Sequence, residues 1–441
     1  MSSTPQGSRA QWNSRTGFIL AAAGSAVGLG NIWRFPYITG ENGGGAFVLV
    51  YLLCILLVGA PVMIAEIMLG RTARSSPVNA FRSLSSRREP WVGVGILGVL
   101  AGFVLLSYYS TVAAWAVHFT FLSLTDSIAG GSADAIKGLF DQLTGNVALG
   151  VGWQLGFLAL TVGVVSAGVT SGIERCSKVM MPALFVLLLV LMANSFTLDG
   201  WNEGMEFLFG MRLESLTAQS VLEALGQGFF TLSLGMGAMI TYGSYLSSKD
   251  DLTSASLATA GTDTLVAIMA SLVLFPIVFT FGLEPGQGPD LLFVTLPTAL
   301  AQMTGGAILS VLFFVMLVFA ALTSAIAMFE VAAAYLQEEF GATRKKACLI
   351  AGAAVAAIGI PATANSQWFG VADNIVSNWL LPLGGLGVAL FVAWRMDAAL
   401  RRGEFEAGSR LAGFYGTWLW ILKYPVPVCI VLVFLSAVGV L

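Results

Sequence analysis

The sequence predicts an all-α membrane protein that crosses the bilayer many times. Three observations lead there: 57% of the 441 residues are hydrophobic, only 10% are charged, and long apolar runs recur from one end to the other. An ordinary soluble domain carries about a quarter charged residues, and a helix needs roughly 20 apolar residues to cross the hydrocarbon. Runs such as Val48 to Leu57 and Val179 to Met192 are apolar on every face. That excludes a transmembrane barrel, whose strands alternate in polarity.

Taken in order, with Gly, Pro and charge clusters as punctuation, the chain divides into eleven spans near 16–40, 46–71, 92–124, 147–168, 173–194, 218–247, 256–282, 308–340, 346–362, 371–397 and 414–440. The long third and eighth spans imply strong tilt or ends that project beyond the bilayer. The segment 1–15 is polar and is not followed by a small-residue cleavage pattern, so no removable signal peptide is expected. Loops at 195–217 and 283–307 hold Trp201, Phe207, Phe209 and the run Leu291-Leu292-Phe293. Folded caps and amphipathic connectors at the interface are both compatible with them.

Basic residues separate by side. Arg9, Arg15, Arg71, Arg74, Arg82, Arg87, Arg88, Arg175, Lys178, Lys249, Arg344, Lys345, Lys346, Arg395, Arg401, Arg402 and Arg410 share one side; Asp126, Asp134, Asp141, Asp199, Glu203, Glu206, Glu284 and Asp290 lie opposite. The basic side is cytoplasmic by the positive-inside rule. A bacterial inner-membrane protein with its N-terminus in the cytoplasm and, after an odd number of spans, its C-terminus outside is expected. A net charge of -3 gives no reason to expect nucleic acid. Cys54, Cys176, Cys348 and Cys429 have no metal-ligand or CxxC spacing, and the sole histidine, His118, has no companion to complete a metal site. All five read as packing residues.

Span one holds Gly24, Gly28 and Gly30 with Asn31 and Arg34, and span six holds Gly235 and Gly237 beside Thr231 and Ser233. A mid-helix Gly costs about 1 kcal/mol relative to Ala, and backbone groups freed at mid-depth need new partners. Close helix packing is the commoner reason for such glycines. Here, however, each pair lies in the first helix of a five-helix set. Two sets with an odd helix count enter the membrane from opposite sides, an inverted repeat of 16–194 and 218–397, with 195–217 between them and 398–441 appended. Half-helix N-termini then face an anionic substrate group and free carbonyls face a cation.

At these residues the chain resembles the neurotransmitter:sodium symporter family. The likeness runs from Arg9 and Trp12 through Gly24-Ser25-Ala26-Val27-Gly28-Leu29-Gly30-Asn31-Ile32-Trp33-Arg34-Phe35-Pro36, then Glu41-Asn42-Gly43-Gly44-Gly45-Ala46-Phe47, Gln227 to Ala238, and Ala320-Ala321-Leu322-Thr323-Ser324. Such runs are specific in a way that a lone GxG is not. The pattern is most similar to the eleven-helix bacterial carriers of hydrophobic amino acids.

The resemblance implies a sodium-coupled symporter of aliphatic and aromatic amino acids, not an enzyme, working by alternating access with two sodium ions. The first ion would be held by Ala26, Asn31, Thr231 and Asp263, with the substrate carboxylate. The second would be held by Gly24, Val27, Ala320, Thr323 and Ser324. All these donors are oxygens, as a hard cation requires. The amides of Leu29 and Gly30 and the hydroxyl of Tyr109 would hold the carboxylate, while carbonyls of Phe230 and Thr231 and the Ser233 region would face the amine. Leu105, Phe230, Met236 and Met328 would line the side-chain pocket, its methionines adaptable in shape; Ser25, Ala26, Gly28 and Ser324 complete the set.

Asp263 stands where the neurotransmitter carriers have Asn, and Ala267 where they have a chloride-holding Ser, although Tyr51, Gln227 and Thr231 match that anion site. A fixed charge then replaces the anion, and no chloride is expected. By the same residue matches, Arg34 with Asp373 would close the outside, and Arg9 with Glu338 the inside, with Trp12 as a plug. Intramembrane charges cost roughly 2.5 to 3.5 kcal/mol each, which favours partners for Arg34 and for Glu66. Glu66 is expected to accept hydrogen bonds from unwound backbone in span six. Gly172 and Pro182 mark a span-five segment that either unwinds to let water reach the second ion or is simply kinked. Two rival functions remain: a proton-coupled carrier, in which Asp263, Glu66 or Glu338 titrates, and a sensor that binds an amino acid without moving it. Oligomeric state is not legible.

Overall fold

A computed structural model describes residues 9–86, 89–128, 130–283, 289–437 and 439–440. Residues 1–8 of the N-terminal segment, and Arg87, Arg88 and Glu284 of the charge argument, lie outside the described residues. The helices are α1 (Arg15–Ala26), α2 (Gly30–Glu41), α3 (Gly45–Ala73), α4 (Pro77–Leu84), α5 (Val92–Leu124), α6 (Ala133–Gly145), α7 (Val147–Ser166), α8 (Val169–Ser195), α9 (Trp201–Phe209), α10 (Ala218–Thr231), α11 (Ala238–Gly243), α12 (Leu252–Thr280), α13 (Leu291–Gln302), α14 (Gly306–Phe340), α15 (Arg344–Ala364), α16 (Ser366–Arg395), α17 (Ala398–Glu406) and α18 (Ala412–Ala437). The protein is an all-α polytopic membrane protein.

Nine of these helices, among the described residues, are long and apolar enough to cross a bilayer, and α1 with α2 forms a tenth span bent by 58°. The expected sixth span is two short helices, neither of which can cross alone. They follow one another along α3: α10 packs on its first half and α11 on its second. The pair is therefore one span interrupted at 232–237, which accounts for the expected eleven.

Helices α5 and α14 reach 33 and 35 residues. At 1.5 Å per residue each is about 50 Å long, well beyond a hydrocarbon core of about 30 Å. They pack along one another and carry α7 and α15 on their flanks. Packing sets the start of α8 earlier than expected: it begins at Val169, not 173, because Gly168, at φ 104°, reverses the chain directly after α7.

Both uncertain loops contain folded caps. In α9, Phe207 packs on Phe275 with ring centroids 4.7 Å apart, and in α13, Phe293 stacks on Phe140 at 5.5 Å. Phe209 is exposed and takes no part. The turn before α3 is pinned under the first cap, since Arg212 donates to the Gly40 carbonyl at 2.9 Å and Gly45 N–H to Gly210 at 3.0 Å.

Candidate functional site

The site is built around two breaks. Helix α1 ends at Ala26, and Val27 turns extended at φ -67°, ψ 108°. The last carbonyls of α1 and the first amides of α2 are left without helical partners. Asn31 closes part of the gap by accepting from Gly28 N–H at 2.9 Å. In span six the chain leaves α10 through Ser233 at φ 55°, Gly235 at 81° and Gly237 at 77°. A side chain on Gly235 would collide with the Leu381 carbonyl, so only glycine fits. The fully buried Glu66 accepts from Gly235 N–H at 2.7 Å. Its second oxygen has no partner among the described residues.

Every residue of the expected substrate set lines one cavity of about 30 Å³ between the breaks, and Asn31 joins them. Space of that size admits roughly two waters, so a larger occupant must displace side chains such as Met236 and Met328. The Tyr109 hydroxyl is buried without a partner among the described residues, and a methyl on Gly28 would meet it at 3.3 Å. Gly30 lies against the Phe230 ring, where a methyl would meet Cε1 at 2.9 Å. Both glycines are therefore needed for close approach of backbone to whatever enters.

The donors assigned to the first cation are brought together. Asn31 Nδ2 donates to Asp263 Oδ1 at 2.6 Å and Thr231 Oγ1 to the same oxygen at 2.9 Å, all three side chains being buried. The second set also converges. Ser324 Oγ lies 3.0 Å from the Val27 carbonyl and 3.3 Å from that of Gly24, and Thr323 Oγ1 lies 3.1 Å from the Ala320 carbonyl. Both sets offer oxygen alone, which fits a hard monovalent cation. Near the first, Tyr51 Oη and Gln227 Oε1 are buried and unpartnered among the described residues, while Ala267 contributes no polar atom.

The two expected gates differ. Inside, Arg9 is ion-paired with Glu338, which also accepts from Ser76 N–H at 2.8 Å and from Asn79 at 3.1 Å. Trp12 is buried beside them, its Nε1 donating to the Tyr242 carbonyl at 3.0 Å. Outside, the expected Arg34 and Asp373 pair is not made. Arg34 instead sits over the Phe230 ring, 5.2 Å from its centroid, while Asp373 accepts from the Tyr108 and Ser377 hydroxyls at 2.9 and 3.1 Å. Two hydroxyls already satisfy the carboxylate, and the guanidinium has an aromatic face. An outer cavity of about 150 Å³ opens there, and Phe230 lines both it and the inner cavity. The Arg9 and Glu338 pair is thus made and the Arg34 and Asp373 pair is not.

Two buried acids near the inner pair, Glu330 and Glu174, have no counterpart in the sequence reading. Fully buried Glu330 pairs with Arg344 at 2.6 Å and accepts from Tyr245 at 2.6 Å. Glu174, almost fully buried, accepts from Asn13 N–H at 2.8 Å and Lys178 at 2.6 Å, tying the start of α1 to α8. An isolated acid inside an apolar run was the available signal for Glu330. Gly172 lies in the first turns of α8, which is wound rather than open, and Pro182 sits inside the same helix. His118 packs on Trp153 at 5.4 Å, as a packing residue would.

The profile described as Sodium:neurotransmitter symporter family matches residues 9–136 and 142–440. The chain is 38% identical over 443 residues to an uncharacterized sodium-dependent transporter of Bacillus subtilis, covering 98% of each. It is 26% identical over 500 residues to the sodium- and chloride-dependent neutral and basic amino acid transporter B(0+) of Homo sapiens, covering 93% of this chain and 76% of that one. The crystal structure of MhsT in complex with L-phenylalanine superposes with a TM-score of 0.89 at 42% identity, covering 97% of this chain and 100% of that one.

Proposed function

The chain belongs to the sodium:neurotransmitter symporter family and is a sodium-dependent transporter, and we propose that it imports hydrophobic L-amino acids, aliphatic and aromatic, by alternating access. One observation carries the substrate: a cavity between two helix breaks whose walls are Leu105, Phe230, Met236 and Met328 and whose polar end holds the unpartnered Tyr109 hydroxyl. In this reading the Leu29 and Gly30 amides and Tyr109 hold the carboxylate, and the apolar side chains hold the rest. That the solved relative MhsT carries L-phenylalanine supports the class.

Two sodium ions accompany the substrate. The first shares the Asp263 carboxylate with the carbonyl of Ala26 and the oxygens of Asn31 and Thr231; the second takes carbonyls of Gly24, Val27 and Ala320 with the hydroxyls of Thr323 and Ser324. Because each set spans an interrupted helix and an intact one, ion binding favours the geometry in which they meet. Asp263 supplies the negative charge, so chloride is not required. The halves 16–194 and 218–397 rock against each other, closing Arg34 and Phe230 over the substrate before Arg9 and Glu338 part. Gly172 and Pro182 then let α8 unwind toward the second ion. The setting is a bacterial inner membrane, with the N-terminus cytoplasmic and the C-terminus outside.

The test is uptake of a labelled amino-acid panel by proteoliposomes with sodium and proton gradients imposed separately. Leucine, phenylalanine and tryptophan are expected to accumulate only with inward sodium. Accumulation driven by protons alone would overturn the coupling, and binding without uptake would make the protein a sensor.

A further inference from the structure

Helix α7 faces outward over much of its surface, with Leu155 and Leu160 exposed, yet Gln154 in its middle is fully buried. Its Nε2 is shared among the Ser110 hydroxyl at 2.9 Å, the Ser107 carbonyl at 3.2 Å and the Thr111 hydroxyl at 3.4 Å, all on α5. Its Oε1 accepts from the Thr363 hydroxyl of α15 at 3.0 Å. The Thr111 and Thr363 hydroxyls lie 2.8 Å apart, so Gln154, Thr111 and Thr363 close a ring of hydrogen bonds across three helices. Two glycines make room for it. A methyl on Gly359 would collide with Gln154 Nε2 and the Ser107 carbonyl, and one on Gly150 would meet Thr363 at 2.9 Å.

Polar side chains often do no more than join membrane helices. Here, however, every contact on α5 falls on the single turn from Ser107 to Thr111. At about 100° per residue, Ser107, Ser110 and Thr111 share one face of that turn, and Tyr109 leaves the opposite face to line the central cavity. Its neighbour Tyr108 is held at its tip by Asp373 at 2.9 Å. The Tyr109 hydroxyl has no partner among the described residues, so its aim depends on the rotation of α5 at this turn. A rotation by about 10° moves an atom about 6 Å from the helix axis by about 1 Å, enough to lose a hydrogen bond.

We propose that Gln154 is a positioning residue for the Tyr109 hydroxyl: with Thr363 it fixes the rotation of α5 at Ser107 to Thr111 and so aims Tyr109 at the substrate carboxylate. This rests on the carboxylate reading of Tyr109 given above. Among the described residues neither α7 nor α15 lines the cavity, so both act through α5. A ring of hydrogen bonds suits the task because turning α5 either way strains several coupled bonds at once, whereas apolar burial has no directionality.

The experiment measures sodium-dependent binding of labelled leucine and phenylalanine, and their uptake by proteoliposomes, for Gln154→Met, Thr363→Val and Tyr109→Phe and for each of the first two combined with the third. In Gln154→Met the remaining groups still pair, Ser110 with the Ser107 carbonyl and Thr111 with Thr363, both at 2.8 Å, so the variant is expected to fold. Gln154→Met should weaken binding of both amino acids about fivefold, part of what loss of the Tyr109 hydrogen bond itself costs, with the maximal uptake rate unchanged. Thr363→Val should act in the same direction and less, and carries the same comparison if Gln154→Met yields no folded protein. In the Tyr109→Phe background neither change should shift affinity by more than about twofold, because no hydroxyl is left to aim. An equal loss in both backgrounds, which a merely structural role gives, or no loss in either, overturns the positioning role. Unchanged affinities in Tyr109→Phe alone overturn the carboxylate reading, and this role with it, so the two failures are distinguishable.

Discussion

The Asn31 side-chain amide donates to the Asp263 carboxylate at 2.6 Å, tethering the first turn after the break in span one to the interior of α12. Both residues are buried, at 1% and 0% exposure, so the carboxylate has no access to bulk water and its charge needs a counter-ion. Replacing it as Asp263→Asn removes the charge while keeping the shape. At an effective dielectric near 20, two charges about 4 Å apart interact by about 4 kcal/mol. Even after desolvation takes most of that, the sodium concentration for half-maximal uptake is expected to rise at least tenfold in chloride-free buffer. Added chloride should restore part of it. Unaltered protein should transport equally in chloride and gluconate; a strict chloride requirement there would sink the fixed-charge account.

The unpartnered Tyr109 hydroxyl sets the second expectation. A hydrogen bond to a charged group is worth about 1.5–3 kcal/mol, which is roughly ten- to a hundredfold in affinity. Tyr109→Phe should raise the substrate KM by that factor for every amino acid alike, because the carboxylate is common to all. A loss confined to aromatic substrates would place the hydroxyl at the wrong end of the cavity.

Gly235 tests the span-six break. Its φ of 81° and the Leu381 carbonyl in the path of any side chain make Gly235→Ala a strained substitution. Strain of this kind costs about 1–3 kcal/mol. The variant should melt at a lower temperature than the unaltered protein in the same detergent, and it should lose uptake. An unchanged melting temperature would mean the break can move aside.

The inner gate gives the fourth expectation. Thr241 lies fully buried on α11, next to Tyr242, whose carbonyl accepts from Trp12, and its own carbonyl accepts from Ser244, the serine that Arg9 binds. In a Thr241→Cys background, adding Glu338→Gln should speed labelling by a water-soluble maleimide severalfold, because one charge of the Arg9 pair is gone and the open state gains population. Saturating sodium should slow the labelling again. Labelling unaffected by Glu338→Gln would show that the pair does not hold the path closed.

The last expectation concerns pH at the start of α12, outside the spans. Burial works against the charge of Asp251, but hydrogen bonds from Ser254, from Arg410 N–H and from Thr253 outweigh it and hold the carboxyl at about 2. Its folded value lies below the ordinary one of 3.8, so its stabilisation is complete at neutral pH and is lost as pH falls from about 4 toward 2. Asp251 also caps α12, accepting from Ser254 N–H at 3.0 Å. Asp251→Ala should cost about 1 kcal/mol at pH 7 and flatten the decline of melting temperature between pH 5 and 3. A decline as steep as in the unaltered protein would assign it to other carboxylates.

Much of the site was legible because its signals are local. Gly28 and Gly30, and Gly235 and Gly237, mark the breaks because the two pairs occupy corresponding places in the two five-helix sets; one pair alone reads equally as helix packing. Asn31, Thr231 and Asp263 are polar groups in apolar runs, and the structure brings them together. Glu66 likewise meets Gly235 N–H. The illegible part is the network around Glu330, Glu174 and Arg71. Arg71 is 2% exposed yet pairs with Glu404, more than 300 positions away, and donates to the Asp250 carbonyl at 2.7 Å. No periodicity in the chain encodes a pairing at that separation.

The amino-acid sequence by itself determined the class, the span count, the two interruptions and the family, because each follows from hydrophobic length, from glycine placement or from contiguous motifs. Only the tertiary structure decided which charges meet. Arg9 reaches Glu338, whereas Arg34 turns onto Phe230 and Asp373 is taken by Tyr108 and Ser377. It likewise left the Ser25 hydroxyl without a partner among the described residues while committing Ser233 and Ser324 to backbone carbonyls. Partner choice of this kind depends on which of several competing donors lies within hydrogen-bond reach once the helices pack, and that distance is not a property of any local stretch of chain.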